Sequence, residues 1–292
     1  IVHPTGGVND WRARIVSTLG NPNFVAGYLA ILFPALVARA CHPRASRKWF
    51  WAIGVPVVSL CVAVFVVTFC VGAFIALVLA LITCFFFPSV LRRFFELRKG
   101  RLAVLGAIAC GILAFYCTDN PYNGREGSVL DQAQASPQWR TGFAARQFNW
   151  RTTRLMIEDH PITGIGFANF QAFSMTYQGR NYARQDREHG SAIVKLVDQP
   201  HHQLLETAAE TGVPGVFFLL WLFVAIIRAA LRSIRSRNTE DSCLLAAAFL
   251  GFLTAVYHSL SSFPFHLPAS TLATLVWLSI LLPGRDEEPE VV

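Results

Sequence analysis

The sequence predicts an all-α, polytopic membrane protein with about seven transmembrane helices and one large, partly helical extracytoplasmic loop. Three observations carry that expectation. Of the 292 residues, 53% are apolar and only 15% are charged, where a soluble domain carries roughly a quarter charged residues. The apolar residues gather into charge-free runs long enough to cross a bilayer, and mean hydropathy is +0.43. The basic residues, 25 against 18 acidic for a net charge of +7, are concentrated in short segments between those runs.

Each residue of an α-helix advances about 1.5 Å, so a hydrocarbon core of about 30 Å needs roughly 20 residues. Asn21 to Ala38, Leu102 to Thr118 and Thr211 to Ile227 each suit one crossing. Trp49 to Leu91 is free of charge for about 43 residues, twice the length of one span, with the small and polar cluster Thr68 to Gly72 near its middle. It predicts two helices and a tight turn. Ser242 to Leu282 repeats the pattern, with Ser261-Ser262-Phe263-Pro264 breaking the helix.

Orientation follows from Lys and Arg, which enrich short cytoplasmic loops. Arg39 to Lys48, Arg92 to Arg101 and Arg228 to Arg237 are the three basic segments, and all fall on one side of a seven-span arrangement. The boundaries that follow are an N-terminal segment and four spans over 1–118, a polar loop over 119–203, three spans over 204–283, and a cytoplasmic tail over 284–292. Topology thus accounts for the basic charge without nucleic acid. The chain opens on Ile1, and its first 19 residues lack the charged start, apolar core and cleavage site of a signal peptide, so it is read as a piece of a longer protein. The seven cysteines form no C-x-x-C pair and lie mostly in apolar runs, as small buried thiols do.

A loop of about 85 residues between spans is far longer than a plain connection, and such loops are generally functional. Arg146 to Asp159 reads as a helix with Arg146, Trp150, Thr153, Arg154 and Ile157 along one face, stopped by Pro161 and turned by Gly164 and Gly166. Two arginines and a tryptophan on one face can clamp a phosphate and stack on a sugar, or form a solvated face anchored at the headgroups. The next helix is expected to begin at Asp198-Gln199-Pro200-His201-His202, with Asp198 capping and Pro200 in the first turn. A histidine at a helix N-terminus is held neutral by the dipole and is able to accept a proton, as a general base must. His202, Glu206 and Glu210 also share a face at i+4 steps, but no H-E-x-x-H string accompanies them and Glu210 falls roughly opposite His201, so no metal is expected.

Three strings resemble the superfamily of O-antigen ligases and O-antigen polymerases: RIVSTLGNPNFVAGY from Arg14, RQFNWRTTRLMIEDHPITGIGFANF from Arg146, and HHQLLETAAETGVPG from His201. The last is similar to the H-N-x-x-L-x-x-x-x-E-x-G-x-x-G signature, and HSLSSFPFHLPA, ending at Ala269, looks like the last helical pair of that family. The resemblance implies a C-type glycosyltransferase fold in the bacterial inner membrane with its large loop periplasmic, and, because members usually have more spans than the roughly seven counted here, it implies that the chain is the C-terminal part of a longer protein. It implies transfer of a glycan from undecaprenyl pyrophosphate to an acceptor hydroxyl, lipid A core being favoured, with inversion and without metal, nucleotide or other cofactor. The expected partners are the lipid-linked glycan, the acceptor and membrane lipids.

Residue by residue, His201 matches the essential histidine, Arg146 the loop arginine, and Arg14 a basic residue ahead of the Gly-Asn-Pro-Asn string. His201 and Arg146 are therefore the candidate catalytic pair, and Arg14, Arg151, Arg154, Trp150, His202 and Glu210 the candidate substrate-binding residues. Two positions depart from the family pattern. Cys70-Val71-Gly72 stands where many members have Ser-Arg-Gly, so an arginine used on the pyrophosphate is absent, and either Arg14 or Arg151 replaces it or activity is impaired. His202 replaces an asparagine, which leaves the choice of base between adjacent histidines open. The alternatives within the family are a polymerase or a protein O-oligosaccharyltransferase. Outside it stand a non-enzymatic glycolipid transporter, disfavoured because the span interiors lack ionisable residues, and a degenerate partner of another enzyme.

Overall fold

The computed structural model describes residues 19–68, 70–118, 138–184, 199–236 and 242–282. Among these the chain is helical and forms no strand. It divides into two compact units: one built from the chain up to residue 132 together with 227–258 and the stretch from 264 onward, the other from 133–226 and 259–263.

In the first unit α1 (Pro22–Cys41) starts where Asn21 takes an extended backbone and its Oδ1 accepts the Asn23 N–H at 2.8 Å, with Pro22 in the first turn, where its missing N–H leaves no bond unmade. α2 (Arg47–Thr68) follows, opened by Ser46 and widened into a π-helical turn over Phe50–Gly54. Pro56 explains the widening: without an N–H it cannot continue the i→i−4 ladder.

The expected break in the middle of the 43-residue apolar run falls after Thr68, and α3 (Val71–Phe85) begins immediately beyond it. The second half of that run is not a single straight helix. α3 covers 15 residues, about 22 Å, and then bends by 109° into α4 (Pro88–Phe94), because Pro88 opens a new helix instead of extending the old one. α5 (Lys99–Cys117), α9 (Ser242–His258) and α10 (Pro268–Leu281) complete the unit, with a 3₁₀ turn over Pro264–His266 before α10, as the Ser-Ser-Phe-Pro break predicts.

Among the described residues three helices are long and apolar enough to cross a membrane, Pro22–Cys41, Arg47–Thr68 and Gln203–Ser236, and the bent α3–α4 pair makes a fourth if counted as one span. α9 is the most enclosed element. Fourteen of its 17 residues are buried, and Ala246, Ala247, Ala248, Gly251 and Ala255 allow neighbours to approach closely. Trp277 of α10 reaches past Gly251 to donate its Nε1–H to the Ile31 carbonyl at 3.1 Å, and Tyr257 and Thr83 share a hydroxyl bond at 2.6 Å. Cys41, Cys61, Cys84 and Cys243 are buried, whereas Cys110 is exposed.

The second unit holds α6 (Gln138–Asp159), α7 (Phe170–Arg184) and the first part of α8 (Gln203–Ser236). α6 starts eight residues ahead of the expected Arg146. It pairs with α7 over a small core of Leu155, Met156, Phe170 and Tyr177, to which Ala209 of α8 is added. Asn181 Nδ2 donates to both Thr152 Oγ1 at 2.9 Å and the Phe148 carbonyl at 3.1 Å. At the hairpin end Asp159 accepts from Tyr177 at 2.9 Å and from Arg180. Those two donors hold its carboxyl down at about 2.

Candidate functional site

The second unit gathers its polar and aromatic side chains around the start of α8. The backbone is the first cause. His201 takes a left-handed conformation, φ 58°, which L-residues adopt at a cost, so the chain turns sharply there and the helix opens two residues later. The cap is His202. Its Nδ1 accepts the Leu205 N–H at 3.4 Å and its carbonyl accepts the Glu206 N–H at 3.0 Å. The helix therefore starts later than Asp198 and Pro200 suggest: Pro200 lies ahead of it, and Asp198 is outside the described residues.

Two further segments pack on this turn. Trp150 of α6 donates its Nε1–H to the Pro200 carbonyl at 3.1 Å, and its ring meets His202 edge to face, centroids 5.8 Å apart. Phe143 stands edge-on to the other side of Trp150 at 6.4 Å. From the turn 259–263, the Ser259 carbonyl accepts the Gln203 N–H at 2.8 Å, and the Phe263 ring lies 4.9 Å from the His201 imidazole. Burial pushes the His201 pKa below its usual range, and the Arg146 guanidinium pushes it further down. Burial lowers that of His202 as well.

The far side of α8's first turns is fixed by a break. Gly212 has φ 74°, and Pro214 has no N–H to give the Glu210 carbonyl. The orphaned groups are taken up by the loop between α6 and α7. Ile165 N–H bonds the Ala209 carbonyl at 2.8 Å, Gly166 N–H bonds the Glu210 carbonyl at 3.0 Å, and Val213 N–H bonds the Pro161 carbonyl at 2.8 Å. Gly164, φ 62°, lies against the Glu210 backbone and Gly212 against the Ile162 carbonyl, so a Cβ on either would collide with the opposing main chain. The Glu210 side chain adds a bond from the Phe170 N–H to Oε1 at 3.1 Å, at the start of α7.

Of the residues singled out in the sequence, the structure brings together Arg146, Trp150, His201 and His202. Arg151 and Arg154 lie on the exposed side of α6, where Arg154 bonds Glu158 at 2.7 Å one turn on. Glu210 is buried against the α6–α7 loop. Arg14 lies outside the described residues. Val71 sits exposed in the first turn of α3. Among the described residues no group of three or more His, Cys, Asp and Glu side chains gathers as metal ligands do. Phe263, Gly164 and Gly212 are the additions. The Gly-Val-Pro-Gly string signals the break at Gly212, but nothing local to Phe263 points to His201, 62 positions earlier.

The fold is that of a multi-pass membrane protein. A family model described as O-antigen ligase matches residues 56–220, more than half of the chain, and the chain belongs to that family, whose members are glycosyltransferase-type enzymes acting on lipid-linked glycans. The match takes in Arg146, Trp150, His201, His202 and Glu210 and leaves Arg14 and Phe263 outside it. A search of the curated proteins returned no match.

Proposed function

We propose that the protein is an O-antigen ligase-type transferase that moves a glycan from undecaprenyl pyrophosphate to an acceptor hydroxyl, with lipid A core as the favoured acceptor. The observation that supports it is the pairing of a half-buried histidine, biased toward its neutral form, with an arginine close enough to shift its pKa. A neutral His201 accepts the proton of the acceptor hydroxyl as that oxygen attacks the anomeric carbon. The bond from that carbon to the pyrophosphate oxygen breaks with its electron pair, and Arg146 offsets the charge that develops on the leaving group. Displacement in one step inverts the anomeric centre, and the proton on His201 returns to solvent after the product leaves.

His201 is favoured over His202 as the base because the Nδ1 of His202 is already engaged in holding the helix start. His202 and Trp150 then serve as the wall of the sugar site. In this reading the 119–203 stretch faces the periplasm, the three basic segments face the cytoplasm, and seven spans lie in the bacterial inner membrane. Arg14, Arg151 and Arg154 remain proposed phosphate contacts, drawn from the chain's resemblance to its family.

The test places the protein in liposomes with an undecaprenyl-pyrophosphate glycan and follows release of undecaprenyl pyrophosphate on addition of lipid A core. Wild type is expected to release it only with acceptor present, and His201→Ala to lose at least about 10²-fold, the usual contribution of a general base. Release without lipid A core, with longer lipid-linked glycans, identifies a polymerase instead. Full activity in both His201→Ala and Arg146→Ala overturns the enzyme reading.

A further inference from the structure

Residues 19–118 contain nine Lys or Arg side chains and a single acidic one, Glu96. That carboxylate is already engaged, one oxygen with Arg93 at 3.0 Å and the other with the Ser242 hydroxyl at 2.6 Å. Every one of the nine cations lies between Arg39 and Arg101, at the ends of α1, α2, α4 and α5. Among the described residues of this stretch Glu96 is the single anion, so the helix ends where these residues meet carry a net positive charge.

Part of that charge lines a cavity of about 370 Å³. Arg47, Arg98 and Arg101 supply its polar wall, Phe50, Trp51 and Val104 its apolar one, and among the described residues no acidic side chain borders it. Arg101 is buried and structural. It donates to the carbonyls of Ala40, His42 and Ala45 at 3.1, 3.3 and 2.6 Å, closing the end of α1, and it lies over the Phe50 ring at 5.0 Å. Three carbonyls accept from its N–H groups without cancelling its charge. Arg47 and Arg98 are exposed at the rim, with Arg98 anchored on the Pro43 carbonyl. The start of α5 opens onto the same space, and a side-chain carbon added at Gly100 would meet nothing. Trp51, half exposed beside this basic wall, has the character of an interfacial tryptophan.

We propose that this cleft binds the phosphate headgroup of an anionic phospholipid, Arg47 and Arg98 holding the phosphodiester and Trp51, Phe50 and Val104 lining the first carbons of its acyl chains. The chemistry fits on both sides. Guanidinium groups match phosphate oxygens in a bidentate manner, and a helix N-terminus adds favourable N–H groups. The apolar wall selects a lipid over free phosphate. Basic pockets at the cytoplasmic ends of membrane helices commonly take such headgroups.

The full chain is purified with an equimolar mixture of phosphatidylglycerol and phosphatidylcholine, and lipid retained per protein is counted by native mass spectrometry. Each arginine near the surface is worth roughly fivefold, so wild type is expected to prefer phosphatidylglycerol by about thirtyfold. Arg47→Gln is expected to lower that preference by about fivefold, and Arg47→Gln with Arg98→Gln to bring it near parity. Arg47→Gln alone leaves the Arg98–Pro43 contact in place, so it stands as the test if the double variant fails to fold. The control Arg228→Gln with Arg232→Gln, which removes exposed basic residues of α8, is expected to change nothing. Equal retention of the two lipids by wild type overturns the proposal. So does an equal loss in the control, which means a diffuse basic belt, and so does displacement of the lipid by glycerol phosphate alone, which means a soluble phosphate site.

Discussion

Phe263 gives the site a dependence that the histidine alone would not have. Its ring covers His201, and burial is the larger of the two influences that lower the imidazole pKa. Removing the ring readmits water, which stabilises imidazolium and raises the pKa toward the ordinary value. The base is active when neutral, so Phe263→Ala is expected to move the acid limb of the transfer rate to higher pH, while Phe263→Leu, which still excludes water, leaves it nearly in place. A pH–rate profile checks this, and an unshifted acid limb in Phe263→Ala rules the role out. His202 makes a different prediction. Asparagine is among the best N-caps and alanine among the poorest, so His202→Asn is expected to melt close to wild type and His202→Ala to lose about 1 kcal/mol. Thermal unfolding in detergent separates the two.

At the scale of elements, the important device is the joint between the α6–α7 loop and the break in α8. Three main-chain bonds tie residues 161–166 to residues 209–213, and three left-handed glycines, Gly164, Gly166 and Gly212, shape the two segments. α6 carries Arg146 and His201 lies in the turn that leads into α8, so this joint and the Trp150–Pro200 bond together set the spacing of the proposed base and phosphate groups. Gly164→Ala and Gly212→Ala are each expected to cost at least about 1–2 kcal/mol, the penalty of a Cβ in the left-handed region, with the main-chain collision in addition. Because both changes open the same joint, the double variant is expected to lose less than the sum of the two. Melting temperatures of the three variants measure this, and additive losses would mean two independent turns. The sequence shows half of this joint. Pro161, Gly164 and Gly166 announce a turn, whereas Gly212 and Pro214 fall where one continuous helix is expected, and the mutual fit depends on carbonyls left open in one segment meeting N–H groups left open in the other.

For the whole molecule, the chain belongs to the O-antigen ligase family and is a multi-pass membrane protein, and the proposed orientation follows from the basic segments. Reporter fusions check it: a periplasmic reporter is expected to be active when inserted in the 119–137 stretch and inactive after Ser236, and the reverse pattern would invert the arrangement. The apolar runs set where helices form, and charge-free length together with Lys and Arg placement sets an expected count and side. Those features act locally, through hydrogen bonds within a helix and transfer of side chains into lipid, so they are legible in the string of residues. The arginine–tryptophan helix and the adjacent histidines were legible for the same reason, being patterns of a few turns. What only the tertiary structure decided is which of those residues meet. It packs Trp150 against the turn at Pro200 while leaving Arg151 and Arg154 exposed, adds Phe263 from a turn far along the chain, and makes Glu210 a tether for α7. Each of these rests on contacts between residues distant in sequence, where packing and unsatisfied backbone groups, not local propensity, determine the outcome.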